Sequence, residues 1–576
     1  MTKMKTEVQI DIQDIDHLGI IAGIVDEIGI VEIIDQEIGT DVREKVSAGQ
    51  VVKAMIINCM GFLTAPLYLF SEFFAGKATE HLIGEGVKAE YLNDSRLGRV
   101  LDQIYEYGVT LLFMKIACVM AQRFEIKPKS THIDGTSISV QGKYLSSEEE
   151  QVEASSSEDK QNQDEEDSEP VPITITHGYS RDQRPDLKQY TLNLLTAEEE
   201  GIPLFMQLGD GNELDQNAFA KMIKDFKAEW QGEEPEVYVM DAAFYTQENL
   251  TDFKYSIKWI SRVPLTIKAS LELTQTLVPE QFTKSTMYEG YQFCSVCNEY
   301  AGIKQLWVVV ESDERKEADF KALLKRIDKS LASKMKSLKT LESKEFACEA
   351  DALSAAADFE KTLKYHRFSE LEVVSKPHYQ RRGRPRPGDE VSYYTYHIQA
   401  TLIENEIVVK NHRNQAGRFI LATNLLEEET NLTTDENPKF NKKKWTEDLI
   451  LKEYKAQQTT ERGFRFLKDP LFFVSRVFLK SAKRIMALAM IMTLALMVYS
   501  LGQRQLRRAL ELTSSTLPNQ KGKPTARPTL RWILQCFQSV HLVFVDGIKF
   551  SIKLTHRQNL ILQFLGSSCH QYYFLS

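Results

Sequence analysis

The sequence predicts an α/β chain: an all-α N-terminal domain, then a β-rich core interrupted by a large α+β insertion. Three observations predict it. Apolar residues recur at helical spacing through Leu18–Ile38, Val51–Leu63 and Val100–Met120. From Thr131 the pattern changes to short β runs, two of which deliver an acid, Asp134 and Asp241. A Lys-rich helical stretch and an alternating strand then separate these runs from a helical segment that carries Glu461.

The N-terminal domain, residues 1–125, reads as a helical bundle, with Pro66 and Asn93–Arg96 separating its runs; it either assists folding or, as the family resemblance given below implies, serves DNA-end recognition or dimerisation. The first part of the core is 126–263. Thr131–Val140 is a strand carrying Asp134, and Tyr190–Thr196 and Pro203–Leu208 form a hairpin across the turn-like Glu198–Gly201. A helix over Asn217–Trp230 follows. Val237–Met240 has the continuous apolar run of a buried central strand and ends on Asp241. Thr246–Phe253 reads as helix and Ile257–Val263 as strand. Strand, hairpin, helix, strand, helix, strand is the order of a ribonuclease H-like core, lacking only a last helix with an acid.

Residues 264–425 form the insertion. Gln305–Val310 is a strand candidate, and Arg315–Ser343 reads as a helix. Tyr394, Tyr396, Ile398, Ala400 and Leu402 alternate with polar residues, as on one face of a half-buried strand. Ile407–Val409 and Arg418–Thr423 are expected to continue that sheet. The core resumes over 426–515, and residues 516–576 are a basic linker and tail. Ile485–Ser500 is apolar enough to suggest a membrane span, but its sixteen residues fall short of the ~20 that cross a bilayer. It is expected to be a buried core helix.

A hydrophobic fraction of 43% is that of a globular protein. Seven scattered cysteines do not make a disulfide scaffold, and with no signal-peptide pattern they favour a reducing, cytoplasmic setting. Cys294 and Cys297 form a lone C-x-x-C, a weak zinc signal without a second pair. The net charge of −10 is unevenly spread: Ser146–Pro170 holds eleven acids against Lys160, so everything else sums to zero. That acidic run has too few apolar residues to fold and is expected to be a disordered surface loop.

Tyr454 to Lys468 reads Y-K-A-Q-Q-T-T-E-R-G-F-R-F-L-K, a helical period with Glu461, Arg465 and Lys468 on one face. With Asp134 and Asp241, Glu461 completes three carboxylates from distant parts of the chain, the set a two-metal phosphoryl-transfer centre requires. The two aspartates and the Y-x2-[R]-x3-E-x6-K spacing of Tyr454, Glu461 and Lys468 resemble the DDE transposases of bacterial insertion sequences. The branch is the one with a Tyr-Arg-Glu-Lys motif and a β-rich insertion. His177–Asp186 (H-G-Y-S-R-D-Q-R-P-D), Gly417–Asn424 and Leu467–Pro470 are similar to that family too, so the resemblance covers nearly the whole chain. One departure is Gln457, which stands where the motif has Arg. A neutral amide cannot replace a guanidinium at a phosphate, although Arg462 and Arg465 lie close by.

The resemblance implies metal-dependent cleavage at the ends of a mobile DNA element and strand transfer into target DNA, by a cut-and-paste mechanism. It implies two ions, Mg2+ or Mn2+, with Asp134 bridging both and Asp241 and Glu461 completing one site each. Tyr454 and Lys468 would contact DNA phosphates or the strand end. The partners implied are double-stranded DNA, as terminal inverted repeats and as target, and a second copy in a homodimer. Asp182, Asp186, Asp210, Asp215, Glu447, Asp448 and Glu453 compete for the acid roles. Arg382 and Arg384, within Arg381–Arg386, could lie in a narrow minor groove or touch phosphates from a basic turn. Trp445 could stack on an unpaired base or belong to the core.

Two rival functions share these features: a metal-dependent nuclease without strand transfer, and a transposase-derived DNA-binding regulator. Inverted repeats flanking the reading frame would favour the transposase over both. Replacing Ser146–Pro170 with a short Gly/Ser linker should leave soluble yield and DNA cleavage unchanged, because loop-closure entropy varies slowly with length; expression and a cleavage assay check it.

Overall fold

The fold is that of a computed structural model. It describes residues 9–62, 69–141, 144, 171–182, 184–380, 390–426, 445–469, 481–546, 548–550 and 553–574. The acidic run Ser146–Pro170 and the arginines Arg381–Arg386, with Arg382 and Arg384, lie outside these residues. The chain divides into two compact units, Met1–Ser261 with Lys452–Ser576, and Arg262–Leu451.

The first unit is a mixed α/β body. Its N-terminal layer is helical except for strand β1, Ile10–Asp14, which no local pattern had suggested. Two of the three expected helical runs are broken by a glycine with positive φ. Gly29 separates Leu18–Ile28 from Ile30–Ile38, and Gly108 separates Asp94–Tyr107 from Val109–Arg123. Strand β1 pairs antiparallel with His541–Val545 near the other end of the chain. The C-terminal residues thus belong to this layer: a Cβ at Gly23 would lie 2.6 Å from Cys569 Cα.

The sheet of this unit contains β2 (Ser130–Val140), β3 (Lys188–Ala197), β4 (Pro203–Gly209), β5 (Val237–Met240) and β6 (Trp259–Arg262). Spatial order is β4-β3-β2-β5-β6, with β2, β3 and β4 antiparallel and β2, β5 and β6 parallel. Helices Asp215–Glu229 and Gln247–Phe253 make the crossovers that parallel neighbours need. All four residues of β5 are buried, as its apolar run required.

The apolar stretch near Ile485 lies in a helix of 31 residues, Ala482–Leu512, longer than its apolar pattern alone marks. It is long and apolar enough to cross a membrane, yet 83% of its apolar window is buried inside the protein. It packs against Asp94–Tyr107, Ala48–Cys59 and β4. Arg484 donates to both carboxylate oxygens of Asp102, at 2.8 and 2.7 Å. At Gly502 a Cβ would lie 2.5 Å from Ile24 Cδ1, so the helix axes approach closely there.

The second unit contains an antiparallel sheet, in the order Arg418–Thr423, Ile303–Ser312, Tyr291–Tyr300 and Thr283–Lys284. A separate hairpin joins His366–Tyr379 to Val391–Glu404. Two expectations are corrected here. Ile407–Val409 is not strand but part of the helix Glu406–Gln415, where the Asn405 side chain caps Val408 N–H at 3.4 Å. Arg418–Thr423 does not extend the Tyr394–Leu402 strand; it pairs with Ile303–Ser312. A buried ion pair, Arg418 to Glu311 at 2.7 Å, fixes that pairing, and both side chains are 2% exposed.

Gly23 makes the closure of the N-terminal layer testable. Gly23→Ala should lower the thermal midpoint, because overpacking against backbone costs about 1–3 kcal/mol and outweighs the ~1 kcal/mol of helix propensity gained. Differential scanning calorimetry checks it.

Candidate active site

The site begins with a register. Strand β2 runs parallel to β5 with Ser130 opposite Val237 and Ile133 opposite Met240. Asp134, within β2, and Asp241, just past the end of β5, are the next residues, so the two carboxylates arrive side by side where β5 ends. Each is oriented by nearby backbone: Gly135 N–H donates to Asp134 Oδ1 at 2.8 Å, and Ala243 N–H to Asp241 Oδ1 at 2.8 Å. Ser261 Oγ donates to the Asp241 carbonyl at 2.8 Å, tying β6 to the same end.

The third acid comes from the helix Gln458–Lys468. The single helical period expected over Tyr454–Lys468 is in fact two helices, Glu447–Ala456 and Gln458–Lys468, with the break at Gln457. Half-buried Tyr454 therefore sits on a different helix from Glu461. Thr460, Gly463, Phe464 and Leu467 form the buried stripe at i, i+3, i+4 and i+7, and Glu461, Arg462 and Arg465 point outward. A Cβ at Gly463 would lie 3.1 Å from Leu496, which seats the helix on Ala482–Leu512.

Three side-chain contacts fix these helices to the strands. Thr460 and Thr196 hydroxyls are 2.7 Å apart, Gln457 Nε2 donates to the Ile133 carbonyl at 3.4 Å, and Ser130 Oγ donates to Glu453 at 2.5 Å. Gln457 is buried, so the position where the resembling motif carries Arg does not face solvent. Glu453 is buried as well. The neighbouring His132 is held neutral, its pKa lowered by burial to about 3.

The three acids interact. Burial first, and then the charges of Asp241 and Glu461, push the Asp134 carboxyl up to about 7, against the pull of Arg181 and the Gly135 N–H. Among the described residues, no three His, Cys, Asp or Glu side chains already stand at metal-ligating separation. The donor set nonetheless suits a divalent cation: hard carboxylate oxygens whose mutual repulsion a cation would relieve.

The remaining candidates scatter. Lys468 donates to both oxygens of Asp182, at 2.8 and 2.9 Å. Arg465 is 4.0 Å from Glu461, a loose exposed pair of small energetic weight. Arg462 is exposed at the edge of a cleft of 1110 Å³ shared with Arg504, Arg507 and Arg508. Trp445 is half-buried and lies in the second unit. Of the competing acids, Asp186 pairs with Arg184 at 2.7 Å, Asp210 accepts Thr174 N–H, Glu447 accepts Ser295 Oγ, and Asp448 takes Thr286 Oγ1. Cys294 and Cys297 are free thiols. A residue given no role from sequence is Arg181, whose guanidinium lies 3.8 Å from Asp134. Its only signal was the H-G-Y-S-R-D stretch.

A carboxyl raised from 3.8 to about 7 binds its proton more tightly when folded, so its ionisation opposes folding. That cost is absent below pH 4, grows through pH 4–7, and is constant above. In chelator, Asp134→Asn should therefore raise the thermal midpoint over wild type, by a margin that widens up to pH 7 and then levels; thermal melts across pH 5–8.5 check it.

Comparisons with known proteins bear on residues 10–118 and 127–341. Residues 10–118 match the family model of a domain of unknown function, DUF4277, and residues 127–341 match that of the transposase DDE domain. No curated protein matches. Among solved structures, the cryo-EM structure of piggyBac transposase synaptic complex with hairpin DNA aligns over 98% of this chain and 84% of that one. Its identity is 10% and its TM-score 0.34, a likeness too loose to place any residue. Asp134 and Asp241 both fall within residues 127–341: the chain carries a transposase DDE domain and is an enzyme of the DDE transposase type.

Proposed function

We propose that this chain is the transposase of a mobile DNA element, cutting DNA at the element's ends and joining those ends to target DNA by a cut-and-paste route. The observation that carries this reading is the β2–β5 register, which sets Asp134 and Asp241 side by side within residues matched by the transposase DDE domain. The order strand, hairpin, helix, strand, helix, strand followed by an acid-bearing helix supports a ribonuclease H-like core. Asp134, Asp241 and Glu461 would hold two divalent ions, Mg2+ or Mn2+, which when bound activate an attacking oxygen and stabilise the leaving one.

The chain's own residues do the rest. The Gly135 and Ala243 N–H groups hold the two aspartates in fixed orientation. The buried stripe of Gln458–Lys468 leaves Glu461 facing outward, where a DNA strand has access. Exposed Arg462 and Arg465 on the same outward face offer positive charge to phosphates. Double-stranded DNA is the partner, as inverted repeats and as target, bound by a homodimer in a cytoplasmic setting. Tyr454, Trp445, Arg382 and Arg384 are further DNA contacts in this reading.

The test is end cleavage on duplex DNA carrying the repeats that flank the reading frame. Asp134→Asn, Asp241→Asn and Glu461→Gln should each reduce cleavage by about 100-fold or more while leaving end binding within ~3-fold, since each keeps shape and removes one charge. Near wild-type cutting by Asp241→Asn with magnesium would refute the site.

A further inference from the structure

The first residues of the expected basic linker are an ordered hairpin. Leu517–Pro518 pairs antiparallel with Pro524–Thr525. The turn between them closes on one side chain, since Asn519 Oδ1 accepts the N–H groups of Lys521 and Lys523 at 2.9 and 3.0 Å. Gly522, at φ +73°, donates its N–H to the Asn519 carbonyl at 2.9 Å. Both feet are pinned. Leu517 is buried, Trp532 Nε1 donates to the Pro518 carbonyl at 2.9 Å, and Arg507 Nε donates to the Pro528 carbonyl at 2.9 Å. Lys521 and Lys523 stand exposed at the tip.

The cleft of 1110 Å³ is lined by Thr516 and Ala526, which flank the hairpin, and by Arg462, the residue after Glu461. Charge along it is sorted. Arg504 pairs with Glu199 at 2.5 Å and Arg507 with Glu200 at 2.6 Å, while Glu198 accepts the N–H groups of Lys129 and Ser130. Arg462, Arg508, Lys521 and Lys523 are exposed and make no ion pair among the described residues. The lining acids left without such partners are Glu125 and Glu511, two against four. Residues 504–531 as a whole hold seven Lys and Arg against one acid. A turn already ordered, with unpaired cations at its tip, loses little conformational freedom on meeting a row of phosphates.

We propose that this hairpin, with Arg508, clamps the backbone of the DNA duplex adjoining the cut, Lys521 and Lys523 each contacting a phosphate. The inference rests on the transposase reading above and gives it a DNA surface outside the three acids. Arg462 places one part of the cleft a single residue from Glu461, and the strand from Thr516 to the tip spans about 13 Å. One helical turn of duplex, ~34 Å, covers that reach, so the phosphates concerned lie within about ten base pairs of the cut.

Equilibrium binding of the full chain to the flanking-repeat duplex, measured against salt, tests it. K521A/K523A should lower affinity roughly 10–30-fold at about 0.15 M salt and flatten the log–log slope by about two units, one per phosphate contact. Unchanged affinity and slope would overturn the proposal. K521R/K523R keeps both charges and should bind within ~3-fold of wild type; a loss as large as that of K521A/K523A would make the effect one of folding and overturn it too. Neutral methylphosphonates placed singly within one turn of the cut should reveal about two positions that weaken wild-type binding but not that of K521A/K523A. Finding no such position would refute the contact, and so would loss of joining to target DNA with end binding intact, which would assign the hairpin to the target. The transposase reading fails separately: wild type would then neither prefer nor cut the flanking repeats, whatever the hairpin variants do.

Discussion

The pairing of Ser130–Ile133 with Val237–Met240 is the constraint on which the rest of the site depends. Strands have a side-chain period of two, so a slip of one residue would send Asp134 and Asp241 to opposite faces. Several features hold the register. All of β5 is buried, and the Lys129 carbonyl accepts the N–H groups of Glu236 and Val237 at 3.0 and 3.3 Å where the strands enter the sheet. The helices that bring the third acid are then fastened to this same strand: Glu453 to Ser130, Gln457 to Ile133, and, one strand over, Thr460 to Thr196. Glu461 is positioned by contacts it does not make itself.

Gln457 illustrates how one position can serve geometry instead of charge. It occupies the break between two helices, buried, with its amide turned to a backbone carbonyl of the catalytic strand. A guanidinium there would have to be desolvated in the buried break or swing outward and disturb it. The helix that follows carries exposed cations at Arg462 and Arg465.

What was legible in the sequence follows from how local each signal is. The strand delivering Asp241 was readable because a buried parallel strand is a short apolar run, and the one carrying Asp134 from its β-branched Thr131, Ile133, Thr136, Ile138 and Val140. The helix of Glu461 was readable from its period, although its break at Gln457 was not. Strand β1 was hidden because its partner lies at His541–Val545, and nothing in Ile10–Asp14 alone points there. Tyr291–Tyr300 was missed because its alternation is broken by Cys294 and Val296, while its exposure alternates only once paired. Three apolar residues at Ile407–Val409 suit strand or helix equally, and the Asn405 cap decided for helix. Arg181 could be seen as part of a motif, but its place beside Asp134 depends on a turn of chain 47 residues away.

The joining of the first helices to the last residues has a consequence for synthesis. Tyr572 donates to Asp26 across a separation of 546 residues, and Tyr573 reaches back to the Asp16 carbonyl at 2.6 Å. Buried Lys53 shares this arrangement, bonded to Asp26 and Tyr572. At about 5–20 residues per second, the ribosome takes roughly half a minute to two minutes to supply those partners after the first helix emerges. Throughout that interval Lys53 and Asp26 face each other without the tyrosine that completes their burial, and the groove around Gly19 and Gly23 stands open. The N-terminal layer therefore closes only after translation has passed Tyr573, so a nascent or prematurely terminated chain exposes an apolar helix surface to chaperones and proteases.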